Sequence, residues 1–293
     1  MAISQKSKDD LSFIEHLEEL RWHLMRSVAA IGLVSVVVFL LPGVLFDKVI
    51  FGPKTEGFFT YTLFCRLSEM LGLGNSLCLK APVFEVINLE MAGQFLAHIK
   101  ISFIAGLVVT FPYIFWEIWR FVRPGLYQSE INAMRGVVAI GSVLFLLGVL
   151  FGYYIITPFS ISFLVAYSVS SAVGNNIAFA SYVDTIVAIV LASGIMFELP
   201  LVVFFLSKMG LITPQDMRAY RRHAFVVILV VAAVITPPDV FSQILVTIPV
   251  YLLYELSIGV SARVARRLAQ EEAEIEKRLS KVVPQKQTNE PQP

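Results

Sequence analysis

Charge is what this sequence has least of. Asp, Glu, Lys and Arg supply 15% of the 293 residues, hydrophobic side chains supply 57%, and the mean hydropathy is +0.74. A typical soluble domain carries about 25% charged residues, so this composition defines an integral membrane protein. Catalytic signatures are missing too. There is no His-Glu-x-x-His, no Gly-x-Ser-x-Gly and no Walker loop, which excludes the common zinc-hydrolase, serine-hydrolase and P-loop chemistries. The four histidines, His16, His23, His98 and His223, are scattered, and each is expected at a surface or an interface. No catalytic residue, metal site or cofactor is expected, and the chain does not read as an enzyme. Residues 1–22 carry Lys6, Lys8, Asp9, Asp10, Glu15, Glu18, Glu19 and Arg21 without a short apolar core or small-residue cleavage site, so no removable leader is expected.

What is present is a series of apolar runs. Crossing about 30 Å of hydrocarbon takes roughly 20 apolar residues in a helix. Spans are expected at Trp22 to Leu41, Phe95 to Ile118, Ala133 to Thr157, Tyr182 to Met209 and Val240 to Val260. A shorter one, Ala224 to Ile235, reaches only about 18 Å and needs thinned bilayer or cover from neighbours. The predicted class is therefore all-α, a polytopic membrane protein with six transmembrane helices, two of them short. Pro112, Pro158, Pro200, Pro237 and Pro249 are expected to bend the helices into a concave wall. Residues 1–22 read as an amphipathic helix on the membrane surface that turns into the first span. Residues 23–262 read as the transmembrane domain, with a long external loop at 42–94. Residues 263–293 read as a charged, partly disordered tail.

Orientation follows from basic residues, which favour cytoplasmic connections. Residues 157–181 and 236–239 contain no Lys or Arg, whereas Arg120, Arg123 and Arg135 flank the second connection and Lys208, Arg218, Arg221 and Arg222 fill the fourth. Both termini are expected in the cytoplasm. Cys65 and Cys78 fall in the long external loop. A bridge between them would stabilise by about 3 kcal/mol through loop closure; two free thiols are the alternative.

Three acids stand out. Glu19 lies in Ser12-Phe-Ile-Glu-His-Leu-Glu-Glu-Leu-Arg-Trp-His-Leu24, a helix capped by Ser12 and Glu15, with no basic residue at its helical neighbour positions. Its simplest local reading is a solvated acidic face. Glu130 ends Trp119-Arg-Phe-Val-Arg-Pro-Gly-Leu-Tyr-Gln-Ser-Glu130, in the first turn of the third span, where it favours the helix dipole. Topology puts both on one membrane face beside Phe121 and Tyr127, where two carboxylates could hold two guanidinium groups. The third, Glu198, sits with Pro200 inside the fourth apolar run, with no cation within roughly 15 Å along the helix. It reads either as a protonated acid bonded to a neighbouring helix, as a proton carrier, or as a polar notch.

The His16-Leu-Glu-Glu-Leu-Arg21 box, the loop ending at Glu130, Phe197-Glu-Leu-Pro200 and Thr236-Pro-Pro-Asp-Val-Phe-Ser-Gln243 together resemble the TatC family, the multispanning subunits of the twin-arginine protein translocase, over about Phe13 to Arg263. The resemblance implies a core receptor in a bacterial inner membrane that binds twin-arginine signal peptides of folded precursors. Export would be driven by the proton gradient. It implies recruitment of single-span TatA-like and TatB-like partners and self-association in a larger complex, with lipid contact and no nucleic acid. Residue by residue, it implies that Glu19, Glu130, Leu20, Arg21 and Phe121 form the signal-peptide site. Glu198, Thr236 and Gln243 would form a notch for a partner's transmembrane helix. Pro53, Pro200, Pro237, Pro238 and Asp239 would be structural. Two departures are a longer external segment from Thr55 to about Pro82, and Trp22-His23 where further basic residues are usual, which predicts weaker phospholipid anchoring. The competing reading is a proton-coupled secondary transporter using Glu198, which would call for an inverted repeat that the sequence lacks.

Overall fold

The computed structural model describes residues 13–72, 74, 78, 80–122, 131–170, 176–236 and 240–282. These are overwhelmingly helical: α1 (Phe13–Phe39), α2 (Phe59–Met70), α3 (Gly93–Val122), α4 (Ile131–Phe151), α5 (Thr157–Ala166), α6 (Phe179–Phe197), α7 (Leu199–Lys208), α8 (Pro214–Ala219), α9 (Arg221–Ile235) and α10 (Val240–Val282). Five helical stretches are long and apolar enough to cross a membrane: Glu18–Phe39, Gly93–Phe121, Gly136–Ala166, Phe179–Lys208 and Ser242–Arg278. The sixth span expected from the sequence falls in α9, whose 15 residues are below the usual crossing length and which is not among the five.

The all-α expectation needs one amendment. Strands β1 (Val86–Ile87) and β2 (Ile177–Ala178) form a two-residue parallel pair, Val86 against Ile177 and Ile87 against Ala178. It brings the first and third connections together.

Three segments differ from the sequence expectation. The surface helix and the first span are one unbroken helix, α1, because no Gly or Pro interrupts residues 13–31 to make a turn. The tail boundary at residue 263 falls inside α10, which continues as a charged helix to Val282; the disorder expected beyond it lies outside the described residues. The third span runs past Pro158. A π-helical turn, Gly152–Ile156, leads into α5 there. Proline has no N–H for the Tyr154 carbonyl four residues back. The Thr60 hydroxyl of α2 donates to that carbonyl instead, and Thr60 is fully buried. Helices α3 and α10 likewise continue through Pro112 and Pro249, whereas the fourth span is interrupted at Glu198, between α6 and α7.

The described chain forms two compact units. The first comprises Met1–Glu198 with Val231–Val246. Three tyrosine hydroxyls in it donate to carbonyls of the segment 49–53: Tyr153 to Val49 at 2.6 Å, Tyr182 to Ile50 at 2.9 Å and Tyr61 to Pro53 at 2.7 Å. Pro53 is thereby buried in a short 3-10 turn, Gly52–Lys54. Burial pushes the Tyr61 phenol above its ordinary range. Cys65 and Cys78 are joined in a disulfide that links the middle of α2 to the loop after it. The second unit comprises Leu199–Val230 with Thr247–Pro293. Its core is Val203, Met217 and Ile258, with buried Ser207 and Ser261 hydroxyls bonded at 2.7 Å. Arg221 pairs with Glu255 at 2.7 Å, and a capping box of Thr213 and Asp216 starts α8.

Candidate functional site

Helices α1 and α3 pack antiparallel along most of their length. Phe39, at the end of α1, stacks on His98 near the start of α3 at 4.0 Å. Midway, a Cβ on Gly106 would stand 3.0 Å from the Ile31 carbonyl, so only glycine lets the two backbones come this close. At the other end His23 of α1 pairs with Glu117 of α3, Nδ1 to Oε2. The α1 residues facing α3 recur at four-residue steps, the spacing of one helix face: Ile31, Ser27 and His23 are buried, and Glu19 follows half-buried.

Of the surface and interface positions expected for the histidines, His23 takes a buried helix interface: it is 6% exposed, and Glu117, its partner, is 2% exposed. The departure from a basic residue at this position thus has a packing reason. Glu19 is half-buried. It continues the stripe that meets α3, one turn beyond His23. On α3, Phe121 lies one turn beyond Glu117, and its ring meets the His23 ring edge-on at 6.2 Å. Stepping one turn outward on both antiparallel helices therefore brings Glu19 and Phe121 to the same level. Beside them Leu20 is 41% exposed and Arg21 is exposed. Glu19 has no ion-pair partner among the described residues. Glu130, expected opposite Glu19, lies outside the described residues.

Glu198 caps the C-terminus of α6, with its N–H donating to the Ile195 carbonyl at 3.1 Å. Both of its carboxylate oxygens are buried and, among the described residues, neither has a hydrogen-bond partner. Among the described residues, no neighbouring helix supplies the bond that a purely structural acid would need. Thr236 is turned inward, its hydroxyl donating to the Ala232 carbonyl at 2.9 Å, so the expected grouping with Glu198 is not a direct bond. Gln243 is half-buried near the start of α10. Pro200 lies in the first turn of α7, and Pro237, Pro238 and Asp239 are outside the described residues.

The His23–Glu117 pair was absent from the sequence reading, although a signal existed. Glu117 is the one acid in the apolar run from residue 93 to 121, and such an acid requires a named partner just as Glu198 does.

Apolar helices of crossing length with internal acids and close glycine contacts make this a multi-pass helical membrane protein. The family model described as Sec-independent protein translocase protein (TatC) matches residues 15–249. The TatC protein of Blattabacterium sp. subsp. Periplaneta americana is 38% identical over 264 residues, covering 90% of this chain and 99% of its own. Bacillus subtilis TatCy is 30% identical over 274 residues, covering 93% and 96%. A crystal structure of the twin-arginine translocase receptor TatC superposes with a TM-score of 0.63 at 30% identity, covering 86% of this chain and 100% of that one. The chain belongs to the TatC family and is a membrane component of the Sec-independent protein translocase.

Proposed function

We propose that this chain is the receptor of the translocase, without enzymatic activity of its own, and that it captures twin-arginine signal peptides at the cytoplasmic end of the α1–α3 pair. In this reading the chain crosses the inner membrane of a bacterium six times, α9 being the short crossing, with both termini in the cytoplasm. Glu19 and Glu130 clasp the two guanidinium groups, while Leu20, Arg21 and Phe121 complete the surface. The observation that carries the reading is the His23–Glu117 bond between α1 and α3 with the Phe121 ring against His23, from which one further turn of α1 leads to Glu19. A photo-reactive phenylalanine analogue at Leu20 or at Phe121 is expected to cross-link a peptide bearing Arg-Arg, and not one bearing Ala-Ala. Equal labelling of both peptides rejects the site.

Single-span TatA-like and TatB-like partners would dock at the polar notch of Glu198, helped by Thr236 and Gln243, and export would draw on the transmembrane proton gradient. Support comes from the two buried Glu198 oxygens, which among the described residues have no partner to stabilise them. A donor on a partner helix would satisfy them. Hydrogen bonds between membrane helices contribute about 0.6 to 2 kcal/mol, or roughly 3- to 30-fold in affinity. Glu198→Leu is accordingly expected to lower partner co-purification by that factor, and Glu198→Gln to retain most of it. Full recovery with Glu198→Leu excludes the notch.

A further inference from the structure

We propose that the buried His23–Glu117 pair is a positioning latch for the arginine-binding face, and that it sets how well that face distinguishes guanidinium from ammonium. The inference rests on the receptor reading above.

The pair cannot itself hold a ligand. Glu117 is 2% exposed and His23 6% exposed, which leaves no surface for an incoming side chain. Its consequence is geometric. A carboxylate this deeply buried is costly unless a hydrogen-bonded partner faces it, so the energy of both groups depends on one relative placement of α1 and α3. Contact elsewhere along the pair is apolar or between small residues and permits small slides; the imidazole–carboxylate bond has a direction and does not. Phe121 adds a second contact to the same ring. The Ser27 hydroxyl donates to the His23 carbonyl at 2.9 Å, bracing the helix turn that carries the ring. Tyr113 and the exposed Arg26 also stand near Glu117, and neither bridges it to the His23 ring.

Glu19 is one turn from His23, and Phe121 is one turn from Glu117. Bidentate recognition of a planar guanidinium requires the carboxylate plane to be held within a narrow angle, whereas an ammonium is a point charge that tolerates rotation. Releasing the latch therefore weakens arginine binding more than lysine binding.

The test uses the purified full translocase in vesicles and two synthetic leader peptides, identical except for Arg-Arg or Lys-Lys. Glu117→Gln, nearly isosteric and neutral, is expected to lower the Arg-Arg over Lys-Lys affinity ratio at least threefold, and His23→Leu at least tenfold. The reciprocal exchange His23→Glu with Glu117→His is expected to restore at least half of the lost ratio, which a role in stability alone would not require. Glu19→Ala serves as the reference. If Glu19→Ala weakens Arg-Arg binding while Glu117→Gln leaves the ratio unchanged, the latch is refuted and the receptor reading stands. If Glu19→Ala leaves Arg-Arg binding unchanged, the receptor reading fails first.

Discussion

Replacing Glu19 and Glu130 together by Ala is expected to reduce capture of an Arg-Arg signal peptide by about a hundredfold or more. A charge-assisted hydrogen-bonded pair contributes about 1.5 to 3 kcal/mol, and two such pairs contribute about 3 to 6 kcal/mol, or roughly 10² to 10⁴ in binding. Each single replacement should cost about 10- to 100-fold. The effect should be selective by position. Glu18 is exposed and does not lie on the stripe that meets α3, so Glu18→Ala should change capture less than threefold. Peptide cross-linking to the purified variants measures this directly. Undiminished capture by the double variant removes the site.

Gly148→Leu is expected to prevent α4 and α6 from packing. A Cβ at Gly148 would lie 2.5 Å from the Ser193 carbonyl oxygen, 2.8 Å from Phe197 Cβ and 2.9 Å from Gly194 Cα. Two of these atoms are backbone, so no rotamer change relieves the clash and the helices must separate. Overpacking in a soluble core commonly costs 1 to 3 kcal/mol; an obstacle made of backbone should cost about 3 kcal/mol or more. Small residues are what allow membrane helices to approach, and dispersion at such contacts is a main source of their association. Gly136 provides the control within the same helix: it is exposed, nothing stands within 4 Å of its Cβ position, and Gly136→Leu should leave stability nearly unchanged. Thermal unfolding in detergent compares the two. A Gly148→Leu protein as stable as the Gly136→Leu protein would show that this helix contact is not what holds the first unit together.

The site was legible in part. Glu19 and Phe121 are singled out by motif and by the placement of basic residues; the structure sets the Phe121 ring against His23, one helical turn from Glu19. The lone acid Glu117 signals locally that it needs a partner, but that the partner is His23, 94 residues away, has no local signature. The third span was cut short at Pro158 for a related reason. Proline predicts a broken helix from its own neighbourhood, yet Thr60, 94 residues before Tyr154, satisfies the carbonyl that the proline leaves free. Glu198 was recognised by its cost alone, and its lack of a bond to Thr236 or Gln243 could come only from coordinates.

Composition and apolar run length were enough to define a multi-pass helical membrane protein, because transfer into hydrocarbon is nearly a sum over residues and each crossing has a minimum length. The distribution of Lys and Arg, also a property of single residues, yields an expected grouping of the connections by side. Which face of α1 meets α3, where glycine admits a neighbouring backbone and which acids find partners were decided by packing. In a bilayer, apolar side chains point equally well at lipid or at another helix. The solvent contrast that marks the inner face of a soluble helix is therefore missing from the sequence, and specific contacts between distant residues take its place.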